Sequence, residues 1–378
     1  MTVTVTTTRR RIAFAHDWLV TKRGGEAVLD AMIAAATTVG DAAALYTMFD
    51  NGLRLGIHAD LLPRFASVLQ SLPFSQPMRR WLLPAYGLAV RDLSLKLATH
   101  HATSPINLLV TSSSAAVLGI EPPSGVAHVC YMHAPARYIR SLSHEYSRGS
   151  AAIRIALDLF AEKLRDADRD FARGVTEFLA NSRHTAAMIK NAYGRDSTVL
   201  YPPVRTDFYT PGDCRRDDFW LVAGALEPYK RVDLAIEAAR LAGRRLIIAG
   251  NGSCLRALRA IAHRDVTFVT DADDDMMRAL FRRARVLLHP QVEDFGIVAV
   301  EAQACGLPVA AFARGGAVET VEHNVTGIHF DEQTAEQLAH AAEHSPLPDD
   351  PNIRAGAMRF EPRRFAVQFE SVIRRYLG

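Results

Sequence analysis

Short runs of apolar and β-branched residues recur along the chain, separated by helix-length segments. In the first half they are RIAFA from Arg11, AALYTM from Ala43, NLLVTSS from Asn107, VAHVCYMH from Val126 and VTEFLANS from Val175. Near-continuous apolar runs of this kind belong to strands buried on both faces, and their alternation with helical segments predicts a parallel α/β sheet. The pattern restarts after Tyr201-Pro202-Pro203, with FWLVAGAL from Phe219, RRLIIAGNG from Arg244, VTFVT from Val266, ARVLLHP from Ala284 and LPVAAF from Leu307. Two similar α/β domains in tandem explain the restart better than one very wide sheet.

Proline stops helices and disfavours regular pairing, so the Pro202-Pro203 pair, followed by Pro211-Gly212, marks the linker. The expected division is a domain over 1–200, a second over 201–361 and a final helix over 362–378. In that last segment Phe365, Phe369, Val372, Ile373 and Tyr376 fall at helical spacing, which predicts an amphipathic helix that covers a surface, returns to the N-terminal domain and staples the two domains.

Composition narrows the class. The 378 residues are 49% hydrophobic and 22% charged, a globular mixture too apolar for extended disorder. No uncharged apolar run reaches the ~18 to 20 residues that cross a bilayer, so neither a transmembrane helix nor a signal peptide is expected. Cys130, Cys214, Cys254 and Cys305 are far apart and form no ligand cluster, which points to a reducing cytoplasm and no structural zinc. Residues 1–200 carry 22 Lys and Arg against 16 Asp and Glu, and residues 201–378 carry 22 against 25. A basic first half suits an anionic membrane surface, a phosphorylated acceptor or nucleic acid, but no interleaved aromatic and basic motif supports the last.

The densest chemistry lies in QVEDFGIVAVEAQACGLPVAAFARGGAVETV, Gln291 to Val321. On one unbroken helix Glu293 and Glu301, eight positions apart, would diverge by about 80°. A shared site therefore requires Glu293 in a loop, with a helix from Ile297 to Cys305 ended by Gly306 in a left-handed cap. A loop and helix start at the carboxyl end of a strand favour a phosphate or hydroxyl-rich ligand. The plainer alternative makes Asp294 a cap and Glu301 a solvated helix residue. In GALEPYKRVDLAIEA, Lys230 and Arg231 precede a helix starting at about Val232, where cations neutralise a diphosphate; the alternative is two surface cations. AGNGS, Ala249 to Ser253, is either a pocket-lining turn or a tight turn without a ligand. The acidic run from Asp271 is expected to cap the Met276–Arg283 helix.

In the first half, HDWLVTKRGGEAVL places Gly24 and Gly25 between a strand and a helix, with Arg23 beside them. CYMHAPARYI puts His133 at a strand's carboxyl end, followed by Arg137 and Tyr138. His133 is either a site residue or a buried histidine satisfied by backbone. Phe74 to Arg91 combines Arg79 and Arg80 with Trp81, Leu82, Leu83 and Tyr86, and is either a membrane-docking face or a helix packed within the domain.

The Gln291–Val321 string resembles the signature of glycosyltransferase family 4, Glu-x7-Glu followed by Gly-x-Pro-Val and a Gly-Gly-x-x-Glu loop, and the resemblance extends over the whole chain. It implies the GT-B fold, two Rossmann-like domains facing across a cleft that holds the active site. It also implies that Glu293, with Phe295, Gly296 and Ile297, holds the donor sugar and that Glu301 holds the nucleotide ribose. Lys230 and Arg231 would meet the diphosphate, Gly24 and Gly25 would lie near donor phosphates and acceptor, and His133 would contact the transferred hexose. Catalytic roles fall to Glu293, His133 and Lys230. The family usually carries an arginine about five residues before that lysine; here the position is Ala225.

The strings HDWL, RGGE, YMHAP, PYKRVDLAIEA and EDFGIVAVEAQACG look most like bacterial mannosyltransferases that use GDP-mannose, some acting on polyprenyl-diphosphate-linked oligosaccharides in exopolysaccharide or O-antigen (lipopolysaccharide) synthesis. The implied reaction is retaining transfer with no metal and no other cofactor, at the cytoplasmic face of the inner membrane. Alternatives are a UDP-sugar donor and a non-catalytic nucleotide-sugar-binding protein. A nicotinamide-dependent dehydrogenase would need GxGxxG after the first strand, which is absent.

Overall fold

A computed structural model describes residues 10–21, 24–73, 75, 79–136 and 151–377. The candidates Arg23, Arg137 and Tyr138 lie outside the described residues, as do residues 74 and 76–78. The chain divides between Leu200 and Tyr201 into two compact units, and the segment from Phe365 onward belongs with the first.

The first unit is built on a parallel sheet of β1 (Arg11–Leu19), β2 (Asp41–Asp50), β3 (Arg64–Ala66), β4 (Leu108–Ser113), β5 (Ala127–Met132), β6 (Glu177–Ala180) and β7 (Thr198–Val199). Its order is β3-β2-β1-β4-β5-β6-β7. The second is built on β8 (Phe219–Ala223), β9 (Arg245–Ala249), β10 (Val266–Val269), β11 (Val286–His289), β12 (Val309–Phe312) and β13 (Gly327–Phe330), ordered β10-β9-β8-β11-β12-β13. All the strands that the apolar runs predict are present and pair in parallel, with every residue of β4, β8, β11 and β12 buried. Strands β3, β7 and β13 are additions that the runs did not mark.

Both sheets reverse chain order at one place, between β1 and β4 and between β8 and β11. In an open parallel sheet the loops at the carboxyl ends of two such strands diverge to opposite faces and leave room for a ligand. The fold therefore nominates two stretches of chain, the segments after β1 and β4 in the first unit and after β8 and β11 in the second.

The helix Pro362–Leu377 buries Phe365, Phe369, Val372, Ile373 and Leu377. They join a core with Ile12, Phe14, Leu29 and Tyr131, the Tyr131 and Phe365 rings meeting edge-on at 6.1 Å. Tyr376 is only partly buried because its hydroxyl donates to Glu177 at 2.8 Å. In the stretch from Arg79, a 3₁₀ segment Arg79–Ala85 runs into a helix Tyr86–Thr103. Leu82, Leu83 and Tyr86 turn into the first unit's core, which fits the packed-helix alternative. Among the described residues no helix is long and apolar enough to cross a membrane.

Candidate functional site

In the second unit the chain leaves β8 through Gly224 at φ +126° and makes a 3₁₀ turn, Pro228–Lys230. The turn brings Lys230 Nζ against the Glu293 carboxylate, which arrives in the segment after β11. The two side chains are 12% and 18% exposed, so water screens the pair only in part. Glu293 lies outside the following helix, which runs Ile297–Ala304, and this is the loop position that the spacing of the two glutamates requires. Gly306, at φ +76°, follows that helix as predicted.

The helix begins without a side-chain cap. Its N-cap is Gly296, at φ +93°, so neither Asp294 nor any other cap residue occupies that position. In its first turn the Ala299 N–H bonds the Gly296 carbonyl at 3.0 Å, and the helix start carries positive potential beside Glu293. Phe295, expected to contact a donor, has its side chain 3% exposed among Tyr201 and Phe360, with ring centroids at 5.9 and 5.2 Å. What it offers a ligand is backbone; its ring anchors the loop.

A second glycine pair explains how this loop is held. The segment after β12 passes so close that a Cβ on Gly315 would overlap the Glu293 carbonyl, and one on Gly316 would overlap Phe295 Cα. Gly316 N–H donates to the Glu293 carbonyl at 2.8 Å. The glycines of AGNGS likewise serve packing: a Cβ on Gly250 would overlap the Gly224 carbonyl, and one on Gly252 the backbone of Leu226. That turn's glycines are demanded by backbone approach, whatever else the turn does.

Lys230 and Arg231 part company. Arg231 adopts φ +51° and its guanidinium turns to Asp233, 3.3 Å from Nε to Oδ1. Lys230 alone of the two faces Glu293. Glu301 is partly buried on the Ile297–Ala304 helix, and burial pushes its carboxyl up to about 8 against the opposing charge of Arg205, with Asp274 adding to the rise. Arg205 itself bonds Asp274 at 2.7 Å and the Tyr209 hydroxyl at 3.1 Å. Asp273 accepts from Met276 N–H at 2.8 Å and so caps the helix Asp274–Arg283, the capping role expected of the acidic run.

Sequence reasoning passed over His289, the last residue of β11. It is 2% exposed, Nδ1 lies 3.0 Å from the Gln291 amide, and Nε2 has no partner although buried. Burial pushes the ring down to about 4, with Glu293 pulling the other way. Its place in the string LLHPQVED, at the end of the apolar run and four residues before Glu293, was the available signal.

In the first unit Gly24 and Gly25 are the opening residues of the helix Gly24–Ala36, not part of a loop before it as expected. A Cβ on Gly25 would lie 3.5 Å from His16 Cε1 and 3.6 Å from His133 Nε2, so the glycine keeps space open over both rings. His16 is buried near the end of β1, and its Nδ1 is 3.0 Å from Ser112 Oγ near the end of β4. The same hydroxyl is 2.8 Å from His133 Nε2. His133 follows β5; its carbonyl accepts from Asn181 Nδ2 at 2.9 Å, and burial pushes the ring down to about 3, with His16 adding to the fall and Glu26 opposing it. The ring is thus satisfied by a side chain, not by backbone. His16, Ser112 and the buried Glu26 were not singled out from sequence, because partners 96 residues apart leave no local signal.

Asp17, 1% exposed, accepts from the N–H groups of Ser114, Ala115, Ala116 and Val117 at 2.6 to 3.0 Å. It fixes the segment after β4 and with it Ser112.

Residues 215–344 match the family model for glycosyl transferases group 1. The chain is 33% identical over 191 residues to the D-inositol 3-phosphate glycosyltransferases of Mycobacterium tuberculosis and Mycobacterium bovis. The match covers 44% of this chain and 40% of those relatives, so the chain spans less than half of their length. Among solved structures, HepE of Anabaena in complex with UDP aligns with TM-score 0.73 at 19% identity over 97% of this chain and 100% of that one. HepE in complex with UDP-glucose aligns at 0.69 and 20%, over 97% and 99%. Sucrose-phosphate synthase of Thermosynechococcus elongatus aligns at 0.72 and 18%, over 97% and 99%. The architecture, two parallel-sheet Rossmann-like α/β units, is similar to that of GT-B glycosyltransferases.

Proposed function

We propose that this protein is a retaining glycosyltransferase whose second unit binds a nucleoside-diphosphate sugar. The observation that carries the reading is the Lys230–Glu293 pair beside the uncapped start of the Ile297–Ala304 helix, within the stretch that matches the glycosyl transferases group 1 model. A diphosphate is bound by a point cation and unpaired backbone N–H groups, and a sugar is held through its hydroxyls by a carboxylate. The site supplies both kinds of group, and Glu301, further along the same helix, is assigned to the ribose hydroxyls.

In this reading the bond from the anomeric carbon to the diphosphate oxygen breaks with its electron pair leaving on the diphosphate. The acceptor hydroxyl forms the new bond on the same face, and its proton passes to the departing diphosphate. The protein needs no nucleophile. Its contribution is positioning and stabilisation of the leaving group's charge by Lys230 and the helix start, with Gly24, Gly25 and His133 assigned to the transferred sugar and phosphates. We assign the chemistry no metal, a point tested by turnover in excess chelator.

For the donor we propose GDP-mannose, on the likeness of the sequence strings to bacterial mannosyltransferases, with a lipid-linked oligosaccharide or other glycan as acceptor at the inner membrane face. A UDP-sugar is the second reading, favoured by the HepE complexes with UDP and UDP-glucose. Thermal stabilisation separates them, because a ligand that binds only the folded state raises the melting temperature. Selective response to GDP and GDP-mannose supports the first reading. Response to UDP alone replaces the donor, and no response to any nucleotide would overturn the proposal.

A further inference from the structure

Ser112 stands between two histidines with a single hydroxyl proton to give. Its oxygen lies 3.0 Å from His16 Nδ1 and 2.8 Å from His133 Nε2. Ser112 can donate to one ring at most, and a ring nitrogen that does not receive its proton must bring an N–H of its own. A bare nitrogen at one end therefore requires an N–H at the other, and this couples the tautomers of the two rings through the serine.

The carboxylate at the His16 end decides which arrangement holds. His16 Nε2 lies 3.9 Å from Glu26 Oε1, and Glu26 is only 4% exposed. A carboxylate at that distance favours an N–H over a lone pair facing it, more so out of water. A neutral His16 with its proton on Nε2 presents a bare Nδ1 to Ser112. Ser112 then donates to His16 and accepts from His133 Nε2–H. Burial keeps His133 neutral, pushed down to about 3, so it has one ring proton and that proton is on Nε2.

We propose that the Glu26 carboxylate, acting on His16 across 3.9 Å, and the hydrogen-bonded pair of His16 and Ser112 hold His133 in the Nε2–H tautomer and leave Nδ1 as an acceptor for a ligand hydroxyl. The three are positioning residues, acting through His133. The ring is fixed from other sides as well, by edge contact with Tyr131 at 5.2 Å and by the bond from Asn181 to its own carbonyl. An imidazole locked in one orientation and one tautomer selects a group that can donate, such as a hydroxyl, and rejects one that can only accept. The ligand part of the inference rests on the sugar-contacting role assigned to His133 above; the tautomer part does not.

The test uses the full chain labelled with ¹⁵N-histidine. Long-range ¹H–¹⁵N correlation separates protonated from bare ring nitrogens, and a His133→Gln variant identifies the His133 signals. The expected result is a His133 with Nε2 protonated and Nδ1 bare. Ser112→Ala and Glu26→Gln should each shift it toward the other tautomer, while Ser112→Thr, which restores the hydroxyl, keeps it. Turnover of Glu26→Gln should fall at least about 10-fold with little change in KM, as for other residues that orient a histidine. A wild-type Nδ1–H tautomer, or one indifferent to both Ser112→Ala and Glu26→Gln, overturns the proposal. Nucleotide binding is read separately by thermal shift, so failure of the glycosyltransferase reading would show there and leave the tautomer result intact.

Discussion

Lys230 and Glu293, 63 residues apart in sequence, meet as a partly buried ion pair after β8 and β11, the two strands at which the second sheet reverses its order. The pair joins the two segments that the topology offers to a ligand. In the proposed reaction the partners serve different parts of one donor, the lysine its diphosphate and the glutamate its sugar. Donor binding then exchanges a contact between side chains for two contacts to the ligand.

Removing each partner should separate those duties. Glu293→Ala is expected to lower turnover by at least about 100-fold, the scale of losing one preorganised electrostatic contact, with nucleotide-induced stabilisation retained. Lys230→Ala should instead weaken nucleotide binding by about 10-fold or more. Arg231→Ala, whose guanidinium faces exposed Asp233, should change stability by less than about 1 kcal/mol and binding far less than Lys230→Ala. Kinetics and thermal shift on the three variants check this, and undiminished turnover in Glu293→Ala would remove that residue from the chemistry.

Two glycines with different surroundings make a controlled comparison. Gly316→Ala puts a methyl group into Phe295 Cα, so the loop carrying Glu293 has to move; both melting temperature and donor binding should drop. Gly25→Ala meets only ordinary contacts at 3.5 Å and above, so the fold should hold while the space over His16 and His133 is partly filled. Loss of transfer with an unchanged melting temperature is the expected signature of Gly25→Ala. Equal destabilisation by both would mean that Gly25 is structural.

What the sequence made legible follows from the range of each interaction. Parallel strands buried on both faces write themselves as apolar runs, so β1, β4, β8 and β11 were readable, whereas Arg64–Ala66 and Thr198–Val199 are too short to carry a pattern. The place of Glu293 outside the helix followed from helical geometry alone. The turning of Arg231 to Asp233 did not, because it depends on a left-handed backbone conformation that no glycine announces. The bridge from His16 to Ser112 and His133 joins three strand ends through pairing of β1 with β4 and β4 with β5, and only the assembled sheet brings it together.

Asp17 offers a test of that assembly. Asp17→Ala leaves four backbone N–H groups after β4 without their acceptor in a buried place, and should cost at least about 3 kcal/mol. Denaturant unfolding is the measurement. Nucleotide-induced stabilisation of the second unit should survive, and a mutant as stable as the parent would show that water replaces the carboxylate.

Glu301 makes stability depend on pH in a direction opposite to that of most carboxylates. Burial raises its carboxyl to about 8 in the folded protein, well above the ordinary range that it keeps when unfolded. Between those values the folded state holds a proton that the unfolded state has released. Stability therefore falls as pH rises through that window and levels off above about 8. Glu301→Gln keeps the shape of the protonated group and cannot ionise, so its stability should not show this decline. The check is the difference in melting temperature between parent and variant from about pH 5 to pH 9, which should move against the parent as pH rises. Parallel curves would mean that Arg205, which lies beside the carboxyl, compensates its charge fully in the fold. The same titration with nucleotide present reports the ligand's hold on this carboxyl, since a ribose diol that donates to the ionised form would pull its titration back toward lower pH.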